Sequence, residues 1–140
     1  MVAYDESQHA KRALATAIEL AKALGARLKI VTVSEPLPPY VSYAEAAFPG
    51  SAITLTNQRD DFYKQLQEEA KKLVESAGLS VECSLIAGGE VESIIDQIRK
   101  WQADLLVIGR HQHLSILTRY SHSTVHDIAE GIQCGILGVY

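Results

Sequence analysis

Short apolar runs that alternate with helical patterns constrain the fold of this chain more than any other feature. The clearest run, LLVI at residues 105–108, is apolar at every position and stops at Gly109, as expected of a buried strand. A buried strand that ends in glycine and leads through a polar loop to a helix is where α/β proteins place anionic ligands. Free backbone N–H groups and the positive end of the helix dipole face such a loop. The loop after Gly109 is therefore the first candidate for a binding site.

The rest of the chain repeats this alternation. Strands are predicted at residues 2–4, 27–33, 80–86, 104–108 and 135–139. Helices are predicted between Ser7 and Gly25 and at residues 54–77, 90–101 and 121–130. Strands that alternate with helices are typical of a parallel sheet with right-handed crossovers. The sequence therefore predicts one α/β domain over residues 1–140, with a doubly wound parallel sheet and helices on both faces.

Apolar stripes at helical spacing identify the face that each helix buries. The first helix has an alanine-rich stripe that suits close packing on a sheet, and Ser7 is its N-cap candidate. The predicted inward residues of the next two helices are Leu55, Phe62, Leu66, Leu73 and Val74, followed by Val91, Ile94, Ile95 and Ile98.

Composition excludes several classes of function. A net charge of −4 and a pI near 5.7 argue against bulk electrostatic binding to nucleic acid or to an anionic membrane surface. No apolar run approaches the roughly 20 residues of a membrane span, and the N-terminus does not resemble a signal peptide. Cys83 and Cys134 each lie in or beside an apolar run, so we expect buried, reduced thiols. Together these features predict a cytoplasmic protein.

Asp5 and Ser7, directly after the first strand, have two interpretations. In the structural one, Ser7 caps the first helix and Asp5 interacts favourably with its dipole. In the functional one, a carboxylate at the carboxyl end of a strand reaches a ribose or a base in the crevice of the sheet. Spacing favours the structural interpretation and leaves the functional one open.

The loop after Gly109 is basic within an acidic chain. Gly109 permits either a positive φ or a close approach of the backbone to a ligand, and Ser123 and Thr124 supply hydroxyls near the start of the next helix. The basic and titratable side chains nearby are Arg110, His111, His113, Arg119 and His122. This contrast in charge makes an anion site as well supported as simple solvation.

Other chemistries have weaker signals. His111 and His113, together with His122 and His126 at i,i+4 spacing, make a poor zinc set because a loop holds two of them and no cysteine is nearby. The chain has no G-x-S-x-G nucleophile elbow and no glycine-lysine phosphate loop. A nucleotide hydrolase that uses His111 or His122 as general base remains as an enzymatic alternative.

Three segments resemble the universal stress protein family. They are VAYDESQHA at residues 2–10, VTVSEP at residues 31–36 and ADLLVIG at residues 103–109. The similarity extends to CGIL at residues 134–137, where the family usually has Cys-Pro-Val. The motifs occur in the family's order and spacing, so the resemblance covers essentially the whole chain.

The resemblance implies a five-stranded parallel sheet in the order 3-2-1-4-5 and a homodimer formed through the last strand. It also implies a possible adenine nucleotide ligand, ATP or AMP, with little or no catalysis. By position, Asp5 would face the adenine or ribose, Val33 would lie against the adenine, and Gly109 would approach the ribose-phosphate. Ser123 and Thr124 would hold phosphates.

Two positions depart from the family's nucleotide signature, which is glycine, two residues, glycine, nine residues, glycine, then Ser or Thr. Gln112 replaces the second glycine and His122 replaces the third. Each added side chain costs on the order of 1–2 kcal/mol if the loop needs glycine-only geometry. The sequence therefore favours a stress-response binding or regulatory protein without tight ATP binding. An ATP- or AMP-binding sensor is the alternative, because Arg110, Arg119 and His122 could contact phosphates instead.

Residues 36–53 form a long insertion with several prolines and exposed aromatic candidates, and a short helix is predicted at residues 43–47. Such a segment serves either as a lid or contact surface or as a variable loop. A function in partner docking through this insertion is therefore a further hypothesis. Gly135 and Gly138 weaken the last strand and supply few side chains for the implied dimer interface.

Overall fold

The computed structural model describes residues 1–34, 36–37, 39–110 and 124–140. The strands in these residues are β1 (Val2–Ala3), β2 (Leu28–Ser34), β3 (Val81–Ala87), β4 (Leu105–Gly109) and β5 (Gly135–Val139). The helices are α1 (Gln8–Leu24), α2 (Tyr40–Ala47), α3 (Ser51–Ser76), α4 (Glu90–Trp101) and α5 (Thr124–Gly131).

The strands form one parallel sheet in the order β3-β2-β1-β4-β5. This order confirms the predicted fold class, a doubly wound α/β sheet. β1 lies at the centre although it has only two residues, and the N–H of Tyr4 extends its ladder by donating to the carbonyl of Val31 at 2.9 Å. The central position of β1 puts the residues that follow it between the ends of β2 and β4.

Two apolar cores cover the two faces of the sheet. On one face, α1 and α3 pack over Val2, Ile30 and Val107. On the other face, α4 and α5 pack over Val31, Leu106 and Ile108. Successive residues of a strand point to opposite faces, which is why the continuous apolar run of β4 supplies both cores.

Both caps of α1 confirm the sequence prediction. The hydroxyl oxygen of Ser7 accepts a hydrogen bond from the N–H of Ala10 at 3.0 Å, as an N-cap residue does. Gly25 ends the helix in the left-handed conformation, with φ of 60°, where glycine has no steric penalty. The buried stripe of α1 consists of Ala10, Ala13, Leu14, Ala17, Ile18 and Ala21.

The predicted inward face of α3 is partly wrong. Leu66 and Val74 are buried as expected, but Leu55, Phe62 and Leu73 are exposed. A helix of 26 residues is about 39 Å long, whereas the seven-residue strands beneath it span only about 23 Å. The first half of α3 therefore extends beyond the sheet. Leu73 lies one residue before Val74 and is turned about 100° away from the core.

The insertion folds into α2 and its junction with α3. The carboxylate of Glu45 accepts hydrogen bonds from the N–H groups of Gly50 and Ala52, at 2.8 and 2.7 Å, and from the Ser51 hydroxyl. These bonds lower the pKa of Glu45 and start α3 at Ser51, three residues earlier than predicted. The junction exposes three large apolar side chains: Tyr43, Phe48 and Ile53.

Both cysteines are free thiols, as predicted, but the expected burial of Cys83 is wrong. Cys83 is exposed because β3 is an edge strand that is only partly covered by α3, whereas Cys134 is half-buried. Among the described residues, no helix has the length and apolar character needed to cross a membrane.

Candidate functional site

The crevice between the carboxyl ends of β1 and β4 is the topological switch point of the sheet. The chain after β1 turns to the face covered by α1, and the chain after β4 leads to α5 on the opposite face. Because the two connections diverge, they leave a crevice outside the strand ends, where open α/β sheets bind ligands.

Strand register brings three of the predicted site residues to this edge. Ala3 pairs with Val31, so continuing the register by two residues puts Asp5 level with Val33. Val2 pairs with Val107, so Asp5 is also level with Arg110, the residue after Gly109. Asp5, Val33 and Gly109 therefore come from three adjacent strands and lie at nearly the same height along the sheet.

Asp5 participates in the turn that begins α1. Its carboxylate oxygen accepts a hydrogen bond from the N–H of Ser7 at 2.9 Å, and Ser7 in turn caps the helix. The Asp5 side chain is exposed, so the carboxylate can meet a ligand while it holds the turn. The predicted N-cap role of Ser7 is confirmed, and it is compatible with a binding role for Asp5.

Gly109 is required by the packing of α1. A Cβ atom at this position would lie 2.6 Å from the carbonyl carbon of His9 and 2.7 Å from the backbone nitrogen of Ala10. Gly109 is not among the residues with positive φ, so that alternative for its role is wrong. The close approach that it permits in the structure is to the first turn of α1.

Val33 lies at the edge of the crevice, and Tyr4 directly precedes Asp5. Val33 is half-buried and packs against the core covered by α4 and α5. Tyr4 is buried on the opposite face, beside α1 and α3. Burial raises the pKa of the Tyr4 phenol, and the carboxylates of Glu69 and Asp5 raise it further. Tyr4 therefore remains a neutral hydroxyl near Asp5 at physiological pH.

Thr124 contacts an acidic side chain. Its hydroxyl donates a long hydrogen bond of 3.4 Å to the carboxylate of Glu90, in the first turn of α4. A phosphate that binds the Thr124 hydroxyl would have to displace this carboxylate. The arrangement therefore favours a neutral or weakly charged ligand group beside Thr124.

Arg110 points away from the crevice. Its backbone N–H donates to the carbonyl of Val139 at 2.7 Å, and its guanidinium carbon lies 5.0 Å from the centre of the Tyr140 ring. Its side chain crosses β5, whereas Asp5 lies on the other side of β4. The guanidinium therefore lies beside β5, one strand away from the crevice between β1 and β4, and in this position it does not reach a phosphate in the crevice.

Several sequence predictions lie outside the described residues. These positions are His111, Gln112, His113, Arg119, His122 and Ser123. Of the four histidines considered as zinc ligands, only His126 is described, and its Nε2 atom lies 3.5 Å from a carboxylate oxygen of Glu130. Among the described residues, no group of three His, Cys, Asp or Glu side chains could hold a metal ion.

Sequence reasoning missed Glu90 and Tyr4 as parts of this edge. Glu90 follows Gly88-Gly89 and looks like an ordinary acidic residue in a first helical turn. The signal that could have found it is topological, because the start of α4 and the start of α5 lie at the same edge of a parallel sheet. The sequence marks Tyr4 only as the end of the first strand, although it also shows that Tyr4 directly precedes Asp5.

Comparison with known proteins identifies one family. The model of the universal stress protein family matches residues 1–139. A curated relative from Thermus aquaticus, universal stress protein in QAH/OAS sulfhydrylase 3'region, is 34% identical over 142 residues. That match covers 98% of this chain and 94% of the relative.

Solved structures of universal stress proteins have the same fold. UspA from Lactobacillus plantarum superposes with a TM-score of 0.76 at 16% identity, over 99% of this chain and 96% of that one. The universal stress protein from Archaeoglobus fulgidus in complex with dAMP superposes with a TM-score of 0.61 at 19% identity, over 99% and 94% of the two chains. At these identities the likeness concerns the fold alone.

Proposed function

The chain belongs to the universal stress protein family, and we propose that it is a binding protein that holds adenosine or AMP weakly and ATP more weakly still. The Archaeoglobus fulgidus relative is complexed with dAMP, which supports an adenine nucleoside as the ligand class. The predicted contacts are Asp5 with the ribose or base, Val33 with the base, and the backbone of Gly109 with the ribose-phosphate. Ser123 and Thr124 would face the phosphate end.

The contact between Thr124 and Glu90 carries the weak-phosphate part of this proposal. A carboxylate 3.4 Å from the hydroxyl competes directly with a phosphate oxygen for the same donor. Each further phosphate adds negative charge to the ligand and increases its repulsion by the Glu90 carboxylate. At the base end, by contrast, Val33 presents apolar surface and Asp5 an exposed carboxylate. Affinity should therefore be lower for ATP than for adenosine or AMP.

Isothermal titration with adenosine, AMP and ATP tests this order. Micromolar or tighter binding of ATP would contradict the proposal and favour a nucleotide sensor. An Asp5→Asn variant should weaken all three ligands together, because its contact is with the nucleoside. Ser7→Ala is the matched control, since it disturbs the same turn without removing the carboxylate.

We also propose that the protein is not an enzyme. The Asp5 carboxylate holds the turn before α1 by accepting the Ser7 N–H at 2.9 Å, and burial raises the pKa of the Tyr4 phenol, which stays neutral. Phosphate release from ATP should remain at the background rate of a heat-denatured sample. Turnover that disappears in a His122→Ala variant would contradict this assignment.

A homodimer formed through β5 is the proposed assembly. β5 is an edge strand, and hydrogen bonds from Gly135 N–H to Asp104 and from Arg110 N–H to Val139 fix which of its groups face β4. Backbone groups alternate in direction along a strand, so those of Ile136 and Gly138 face the open edge. A second copy of β5 can pair with them.

Light scattering at tens of micromolar protein tests this assembly. Ile136→Pro removes an outward N–H and should yield monomers, whereas Ile136→Ala shortens the same side chain, retains the N–H and should remain dimeric. A monomeric mass for the unsubstituted protein would contradict the proposal.

We further propose a cytoplasmic location, because both cysteines are free thiols. Recovery of the protein in a secreted fraction would contradict this location.

A further inference from the structure

The side chain of Arg110 occupies a defined position that the proposed binding role does not use. It extends from the end of β4 across Gly138 and ends over the ring of Tyr140, at 5.0 Å from the guanidinium carbon to the ring centre. We refer to this arrangement as the stacked position of Arg110. Both Arg110 and Tyr140 are exposed to solvent.

Gly138 makes the stacked position possible. A Cβ atom at Gly138 would lie 2.3 Å from Cδ of Arg110 and 2.9 Å from its Cγ. Atoms cannot approach so closely, so any larger residue at this position would push the arginine side chain off β5. A glycine in the middle of a strand weakens it, and here the glycine leaves the space that Arg110 occupies.

Arg110 has a second position within reach. β4 lies between β5 and β1 in the sheet, and neighbouring strands are about 4.8 Å apart. Arg110 follows the last residue of β4. Its side chain lies toward β5, and rotation about its side-chain bonds would turn it toward β1, where continued register puts Asp5 level with it. We propose that Arg110 is a positioning residue for the phosphate of AMP, and that it exchanges the stacked position on Tyr140 for the crevice when a phosphate binds.

The relative strengths of the two interactions support this exchange. An exposed cation–π contact is worth a factor of about 2 to 5 in an equilibrium constant. Hydrogen bonds to a charged group are worth a factor of about 10 to 150. A phosphate should therefore draw Arg110 off Tyr140, and the stacked position should reduce the affinity for AMP only by the smaller factor. Adenosine, which has no phosphate, should leave Arg110 stacked.

Two measurements test the inference, which rests on the proposed nucleoside site. In NMR spectra, ring currents should shift the Arg110 δ-methylene protons upfield in the free protein. AMP should abolish this shift and adenosine should preserve it. In titrations, Arg110→Gln should weaken AMP binding about tenfold or more and leave adenosine binding unchanged. Tyr140→Leu should strengthen AMP binding about 2- to 5-fold.

Matched variants separate stacking from the loss of a side chain. Tyr140→Phe retains the ring and should behave like the unsubstituted protein. Gly138→Ala should displace the arginine and reproduce the effect of Tyr140→Leu. If Arg110 remains stacked at saturating AMP, or if Arg110→Gln leaves the ratio of AMP to adenosine affinity unchanged, the inference is wrong while the nucleoside site stands. If adenosine itself does not bind, the proposed function is wrong and the inference is rejected with it.

Discussion

Replacement of Gly109 by alanine separates a structural role of this glycine from a role in ligand binding. The added Cβ would lie 2.6 Å from the carbonyl carbon of His9 and 2.7 Å from the backbone nitrogen of Ala10, whereas ordinary contacts begin at 3.4 Å. The neighbours are backbone atoms of a capped helix, so they cannot move independently. Relief requires the first turn of α1 to move by about 0.8 Å, the difference between 3.4 and 2.6 Å, and backbone shifts of this kind are the usual response to overpacking.

The cost follows from this overlap. Overpacking of this kind destabilises a protein by about 1–3 kcal/mol. Unfolding entropy of about 2.1 cal/mol/K per residue gives roughly 0.3 kcal/mol/K for a chain of this length, so the midpoint should fall by about 3–10 °C. Thermal unfolding followed by circular dichroism, without nucleotide, measures this shift directly.

Gly135→Ala is the matched control, because it adds the same methyl group to a strand glycine. Its nearest neighbour would be the side-chain atom Cδ1 of Leu105 at 3.2 Å, which can move by rotation. We expect a change of less than about 1 kcal/mol. If Gly109→Ala unfolds within about 1 °C of the unsubstituted protein and loses only ligand affinity, then the packing argument for Gly109 is refuted.

Three further predictions concern the caps and the core. Ser7→Ala should lower the free energy of unfolding by about 0.5–2 kcal/mol in urea, because the N–H of Ala10 loses its partner. Ile94→Ala should cost about 2–5 kcal/mol, whereas Leu24→Ala, at a side chain that is 71% exposed, should cost less than about 0.5 kcal/mol. The pKa of Glu45 is lowered in the folded state, so the ionised carboxylate stabilises the folded protein at pH values above 4.5, the ordinary pKa of this group. This contribution should disappear as the pH falls through the lowered value, and Glu45→Gln should remove that part of the acid dependence of the unfolding midpoint.

The fold could be predicted because its determinants are local. Apolar periodicity gave the type of every predicted element, and glycine and serine gave both ends of α1. The order of the strands was available only through the resemblance to a family, because periodicity does not determine which strands are neighbours. The faces of α3 were the least predictable part. A stripe of Leu55, Phe62 and Leu73 has helical spacing, but burial depends on where the sheet ends beneath the helix.

The candidate site was predictable in position and not in its charges. The register of β1 and β2 puts Asp5 level with Val33, and the sequence shows clearly where both of these strands end. The contact between Thr124 and Glu90 joins residues 34 positions apart, and neither has a distinctive local pattern. The bonds from Glu45 to the start of α3 are another example. In the sequence, a carboxylate that accepts hydrogen bonds from the next helix cannot be distinguished from a solvated acidic residue. Contacts of this kind depend on tertiary geometry, which spacing alone does not contain.

Gly109 and Gly138 show why a glycine pattern supports a binding site only after its geometry is known. A glycine implies a ligand if the space left by the missing side chain faces the ligand. At Gly109 that space is filled by the backbone of α1, and at Gly138 it is filled by Arg110. Contacts within the protein therefore explain why both positions are glycine, and neither glycine is evidence for a phosphate site. A nucleoside ligand is instead supported by the family and by the shared height of Asp5 and Val33 at the strand ends, both of which concern the base end of the crevice.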